Sequence, residues 1–220
     1  MNFHIVTLFK ESFDSYLGES ILARAIKDKL IHTDFYNPRD FLPKKDNNYK
    51  PVDDRPYGGG PGMVMRAEPV LKAVEKAIKK INKNPKAKTL VINFIPSAEK
   101  FTTSHAKTFS KKYTDIILIC GRYEGIDARV DKILKTKKLS IGDYVLTGGE
   151  LPALVLIDSI SRQVKGVLGK YESLEEERIS ISEVYTRPEV LKWGTKNYKV
   201  PKVLLSGNHK LIEEWKKSKK

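Results

Sequence analysis

The chain has almost no cysteine. Among 220 residues only Cys120 occurs, which excludes an intrachain disulfide framework and any cysteine-built zinc cluster within one chain. Histidine is scarce as well. His4, His32, His105 and His209 show no HExxH or other metal-ligand spacing. Long apolar runs are missing. The longest, residues 151–157, contains a proline and is far too short to span a bilayer, so no membrane partner is expected. The N-terminus, MNFHIVTLF, has neither a basic n-region nor a cleavage site and does not read as a signal peptide; a cytoplasmic location is expected. Acidic residues are outnumbered, 27 against 41 Lys and Arg, for a net charge of +14. That excess suits a polyanionic partner such as a nucleic acid without identifying one.

The common nucleotide-binding motifs are also absent. In the run Gly58-Gly59-Gly60-Pro61-Gly62, Met63 stands where the last glycine of GxGxxG would be. Val164 stands where a P-loop ending in Gly169-Lys170 would need its first glycine, and no GxSxG elbow exists.

What is present is an alternation of strand-like and helix-like stretches. Residues 3–9, 31–36, 89–95, 115–120 and 139–145 read as strands, and residues 20–30, 67–81, 103–110, 126–134 and 150–164 as helices. This order predicts an α/β fold with a mostly parallel sheet and helices on both faces. Residues 37–62 hold five prolines and a glycine cluster and read as one long loop. Residues 166–183 contain Glu172, Glu175, Glu176 and Glu177, lack any clear period and read as a linker or mobile loop. The stretch 203–205 and a helix over 208–217, with Lys216, Lys217, Lys219 and Lys220, form a small C-terminal region.

In an open α/β sheet, ligands bind outside the carboxyl ends of the strands. Three such ends carry unusual sequence: Pro96-Ser97 after Ile95, Gly121-Arg122-Tyr123-Glu124-Gly125 after Cys120, and Leu146-Thr147-Gly148-Gly149 after Val145. Glycines there let backbone approach a ligand closely. Together the three loops suit a small cofactor with an adenine and an amino-acid end; each alone reads better as an ordinary βα turn. The loop from Asp53 to Met63 could receive a nucleobase or be a structural Ω-loop. Arg162 and Asp158 stand at helical i, i−4 spacing, as in a surface ion pair. Glu124 reads as a helix-start carboxylate, and Cys120, ending an apolar strand, as a packing residue.

The motifs DDRPYGGGPGM, CGRYEGID, SIGDYVLTGGELPALVLIDSISR, GVLG, YTRPEVL and VPKVLLSGNHKLIEEW occur in this order along nearly the whole chain. In them the chain resembles the bacterial tRNA (guanine-N1)-methyltransferases of the SPOUT superfamily. The resemblance implies a trefoil-knotted α/β fold that binds S-adenosyl-L-methionine in the knot. It also implies an obligate homodimer with shared active sites, and methylation of N1 of the guanine at position 37 of tRNA, 3′ of the anticodon, assisted by Mg²⁺. The domains it implies are a methyltransferase domain over 1–165, a linker and active-site loop over 166–184, and a shortened C-terminal tRNA-binding domain over 185–220. Carried over residue by residue, it places Pro96, Gly121, Glu124, Ile141, Gly142, Asp143, Tyr144, Val145, Leu146, Gly148, Gly149 and Pro152 at the cofactor and Asp53 and Gly62 at the guanine. Arg162 becomes a catalytic cation. Two local departures stand out. Ser97-Ala98 replaces the family's frequent Gln-Gly, and Glu177, followed by Arg178, falls at the family's general-base aspartate. A non-catalytic RNA-binding protein that keeps the fold is the rival reading.

Overall fold

The computed structural model describes residues 1–43, 51–168 and 183–218. The chain divides into two compact units, Met1–Gly169 and Lys170–Lys220.

In the first unit the elements are β1 (Asn2–Val6), α1 (Asp14–Leu17), α2 (Ser20–Lys27), β2 (His32–Tyr36), β3 (Asp53–Asp54), β4 (Val64–Met65), α3 (Ala67–Ile81), β5 (Thr89–Phe94), α4 (Thr103–Lys112), β6 (Asp115–Ile119), α5 (Arg129–Leu134), β7 (Lys137–Leu139) and α6 (Glu150–Ser161). Five of the strands make one sheet in the order β2-β1-β6-β5-β7, and every pairing is parallel. β6 (DIILI) sits at its centre and is buried throughout. Successive side chains of a strand point to opposite faces, and β6 serves both: Ile116 and Leu118 pack with Phe3, Ile5, Leu156, Ile157 and Ile160 on one face, Ile117 and Ile119 with Val6, Val70, Val74 and Val130 on the other. An unbroken apolar run is what a strand covered on both faces requires.

The helices are read closely from their spacing; α3 occupies the expected residues 67–81. The strand expected over 139–145 does not form. β7 ends at Leu139, because Ser140 Oγ donates to Gly142 O (2.9 Å) and accepts from Gly142 N (3.2 Å). A side chain that satisfies nearby backbone in this way offers an alternative to the sheet ladder. The long loop expected over 37–62 contains a 3-10 turn, Pro38–Phe41, and β3, which pairs antiparallel with β4. Glu124 does not begin a helix; it lies in the loop five residues before α5.

The second unit holds a hairpin of β8 (Val190–Trp193) and β9 (Lys196–Lys199), followed by α7 (Lys202–Leu205) and α8 (His209–Ser218). The hairpin was not foreseen in the sequence. The acidic stretch Glu172, Glu175, Glu176 and Glu177 lies outside the described residues.

Candidate cofactor-binding site

The loops that follow β5, β6 and β7 meet around a cleft of about 440 Å³. Pro96 comes from the first, Gly121 and Glu124 from the second, and Ile141, Tyr144, Val145, Leu146, Gly148 and Gly149 from the third, with Pro152 on the first turn of α6. These ten residues were all picked out in the sequence. Gly142 and Asp143 are not in the lining. A Cβ at Gly142 would lie 2.3 Å from the Tyr144 ring, so Gly142 lets that ring fold back over the turn, where its hydroxyl donates to Ile141 O at 3.3 Å. Asp143 is exposed and takes the ammonium of Lys100.

Backbone approach sets the shape of the wall. A Cβ on Gly149 would stand 2.6 Å from Cys120 Cα, and Gly149 N–H donates to Gly121 O at 2.9 Å. Beneath this contact Cys120 is buried, and burial pushes its thiol pKa well above the usual range, as befits a packing residue.

The 53–65 segment is stitched to the same cleft. Glu124 N–H donates to Met63 O (3.0 Å), Met65 N–H to Gly125 O (2.9 Å) and Asp127 N–H to Met65 O (2.9 Å). Gly62 adopts φ +83° and lies so close to Glu124 that a Cβ would meet its Cγ at 2.7 Å. Gly62 is thus brought to the rim of the cleft, whereas Asp53 sits at the base of the β3–β4 hairpin opposite Met65 and does not line it. Tyr57, at the tip of the loop, is fully exposed.

Arg162 caps the carboxyl end of α6, ten residues beyond Pro152. At 1.5 Å per residue that is roughly 15 Å along the helix axis, so Arg162 and the cleft occupy opposite ends of α6. Asp158, its expected partner, accepts the hydroxyl of Tyr16. Glu177 lies outside the described residues.

Sequence reasoning missed a polar cluster in the wall. Asn93 Nδ2 donates to Asp131 Oδ1 at 2.9 Å, and Asp131 also accepts Thr136 Oγ1 (2.6 Å) and pairs with Lys138 Nζ (3.1 Å). Burial alone would raise the Asp131 pKa, but these hydrogen bonds and the Lys138 charge outweigh it and hold it below the usual range. The available signal was Asn93 itself, one polar residue inside the apolar strand TLVINF. A second missed feature is the ion pair of Arg122 with the buried Glu150, at 3.0 Å. Among the described residues no group of three or more His, Cys, Asp or Glu side chains could hold a metal ion.

A parallel sheet with a glycine-walled cleft across the carboxyl ends of three strands defines an α/β protein built to hold a small cofactor. The family model for tRNA (Guanine-1)-methyltransferase TrmD matches residues 1–220, and the chain belongs to that family. It is 48% identical over 221 residues to the tRNA (guanine-N(1)-)-methyltransferase of Clostridioides difficile (strain 630), covering 99% of this chain and 91% of the relative. It is 44% identical to the like-named protein of Buchnera aphidicola subsp. Acyrthosiphon pisum, covering 97% and 87%. The crystal structure of tRNA (m1G37) methyltransferase from Aquifex aeolicus superposes with a TM-score of 0.78 at 38% identity, over 99% of this chain and 88% of that one. The SPOUT-type α/β fold is therefore the fold of this protein.

Proposed function

We propose that this protein transfers a methyl group from S-adenosyl-L-methionine to N1 of the guanine at position 37 of tRNA, acting in the cytoplasm as a homodimer. The observation that carries the reading is the glycine-walled cleft of a family member, formed by the three loops that follow β5, β6 and β7. Its volume and its bare backbone at Gly121, Gly148 and Gly149 suit a nucleoside joined to an amino acid. Pro96, Gly121, Ile141, Tyr144, Leu146, Gly148 and Gly149 would hold that cofactor, in a trefoil knot of the kind the family fold implies. When bound, the sulfonium cofactor supplies an already activated methyl group.

The protein's own residues have two remaining tasks. Guanine N1 carries a proton at neutral pH, so a carboxylate must remove it, and Glu177 takes that role. Charge then builds on O6, and the Arg162 guanidinium stabilises it. Since Arg162 and the cleft stand at opposite ends of α6, Arg162 serves the cleft of a second protomer. Leu151 and Val155, 59% and 44% exposed on α6, supply apolar surface for that association. Asp53 and Gly62 belong to the segment that receives the guanine.

The charge of +14 supports a tRNA partner. In the β8–β9 hairpin Trp193, 75% exposed, and Tyr198 share one face with Lys196, while Lys192 and Lys199 lie on the other. Aromatic faces beside lysines suit unpaired bases and phosphates.

The test is methyl transfer to tRNA transcripts with guanine or adenine 3′ of the anticodon. Transfer to the guanine transcript alone is expected, with loss of single-turnover rate in Glu177→Gln and Arg162→Met and unchanged cofactor affinity. Binding of cofactor and tRNA without transfer would overturn the reading in favour of a non-catalytic RNA-binding protein. Sedimentation should give twice the chain mass of 25.0 kDa; a stable monomer at micromolar concentration would refute the shared site.

A further inference from the structure

Glu150 is the first residue of α6 and is buried. A carboxylate in that position is costly unless it is hydrogen-bonded and charge-compensated. One hydrogen bond and one compensating charge come from distant parts of the chain. Thr7, just after β1, donates its hydroxyl to Glu150 Oε1 at 2.9 Å. Arg122, in the loop after β6, places Nη2 3.0 Å from Glu150 Oε2. The Arg122 guanidinium is itself fixed on two further sides. Its Cζ lies 4.4 Å from the centroid of the Phe9 ring, and Nη1 donates to Thr147 O at 3.4 Å.

The pair also shapes the backbone between its members. Arg122 and Gly148 form an antiparallel bridge. A Cβ at Gly148 would stand 2.4 Å from Arg122 Nε and 2.6 Å from Glu150 Oε2. Residues 147–149 are therefore moulded directly onto the ion pair, and they are the same residues that form one wall of the cleft. Arg122 borders the cleft, whereas Thr7, Phe9 and Glu150 take no part in the lining, so the geometry ties the wall to the end of β1.

We infer that Thr7, Glu150 and Arg122 form a brace that holds residues 147–149 in the shape the cofactor needs, and that Arg122 and Glu150 are positioning residues for cofactor binding. The inference rests on the cofactor reading above. It goes further by assigning the shape of the wall to a three-residue polar chain anchored outside the cleft. Lysine cannot replace Arg122, because a point charge provides neither the fork that reaches both Glu150 and Thr147 nor the flat face that lies on Phe9.

The experiment uses the full chain and two readouts. Hydrogen exchange of the 147–149 amides, measured without ligand, reports the brace. Calorimetric titration with S-adenosylhomocysteine reports its effect on the cofactor. Thr7→Val removes the hydrogen bond to Glu150 and the one Thr7 Oγ1 accepts from Phe9 N–H at 3.0 Å, without touching the cleft. It should speed exchange at 147–149 and weaken the ligand roughly tenfold, the scale of a hydrogen bond to a charged group. Arg122→Lys should lose at least as much affinity while keeping a higher melting temperature than Arg122→Met. Arg122→Met combined with Glu150→Gln should bind better than Arg122→Met alone, since the uncompensated charge is gone. Exchange at 147–149 unchanged in both Thr7→Val and Arg122→Lys would overturn the brace. Faster exchange with affinity within twofold of the parent would overturn the positioning role. If the parent protein fails to bind S-adenosylhomocysteine while exchange responds as expected, the cofactor reading falls and the brace stands.

Discussion

Replacing Gly149 with alanine isolates the close contact between the end of β6 and the start of α6. At φ −84° and ψ −2° the backbone of Gly149 accepts any L residue, so the whole effect is spatial. The added Cβ would lie 2.6 Å from Cys120 Cα, 3.0 Å from Gly121 N and 3.1 Å from Cys120 C. All three are backbone atoms that cannot rotate away. Carbon atoms prefer about 3.5–4.0 Å, so the two segments must part by roughly 1 Å. That movement stretches the Gly149–Gly121 hydrogen bond, now 2.9 Å, beyond useful length. Overpacking costs about 1–3 kcal/mol and the lost bond about 1 kcal/mol more. At about 2–4 °C per kcal/mol for a chain of this size, the melting temperature should fall by roughly 5–15 °C. Gly121→Ala is the control. Its Cβ would meet only the Ile126 side chain, at 3.2 Å, which can turn aside, so its cost should stay under about 1 kcal/mol. Calorimetric melting of both variants decides the matter. A Gly149→Ala protein that melts with the parent, or a Gly121→Ala protein that falls as far, would refute the steric argument.

Three further outcomes are expected. Burial, with the carboxylates of Asp34 and Asp115 nearby, pushes the Tyr36 hydroxyl up to about 12. Its raised folded value means that its contribution is intact below pH 10 and is lost as pH climbs from 10 to 12; urea midpoints should decline in that window for the parent and stay flatter for Tyr36→Phe, and parallel curves would contradict the assignment. Cys120, buried with its thiol held protonated, should resist iodoacetamide in the folded protein at pH 8 and react once urea unfolds it; rapid labelling of the native state would show the strand end to be open. Changing Lys192, Lys196 and Lys199 together to alanine should lower the slope of log affinity for tRNA against log salt by about 2–3, as expected for the loss of three phosphate contacts; an unchanged slope would remove the hairpin from the RNA surface.

The sheet was legible because its centre is unambiguous. DIILI has no face to show to water, and α3 repeats its apolar residues at helical spacing. Three strand ends of unusual sequence, two of them bearing glycine, point to one edge. The strand expected over 139–145 stops at Leu139: Ile141, Tyr144 and Val145 have β-favouring side chains, but the hydroxyl of Ser140 turns the chain before they can pair. Glu124 departs from its expected place for a related reason: it packs against Gly62, 62 residues earlier, and local pattern carries no trace of that contact. The Arg122–Glu150 pair was hidden likewise, because separation in sequence says nothing of a salt bridge until the topology is known.

The position of β6 also bears on how the chain acquires its fold. β1 is made first, yet one of its two neighbours is β6, and Asn2 waits for Asp115. Until β6 is available β1 has an unpaired edge, and β5 does too. Pairings this distant in sequence carry a large loop-closure cost before any contact rewards it. β6 must then be inserted between two others rather than added to a margin. A nascent chain halted before residue 115 would leave uncovered the edges of β1 and β5 that β6 later occupies, a form exposed to aggregation.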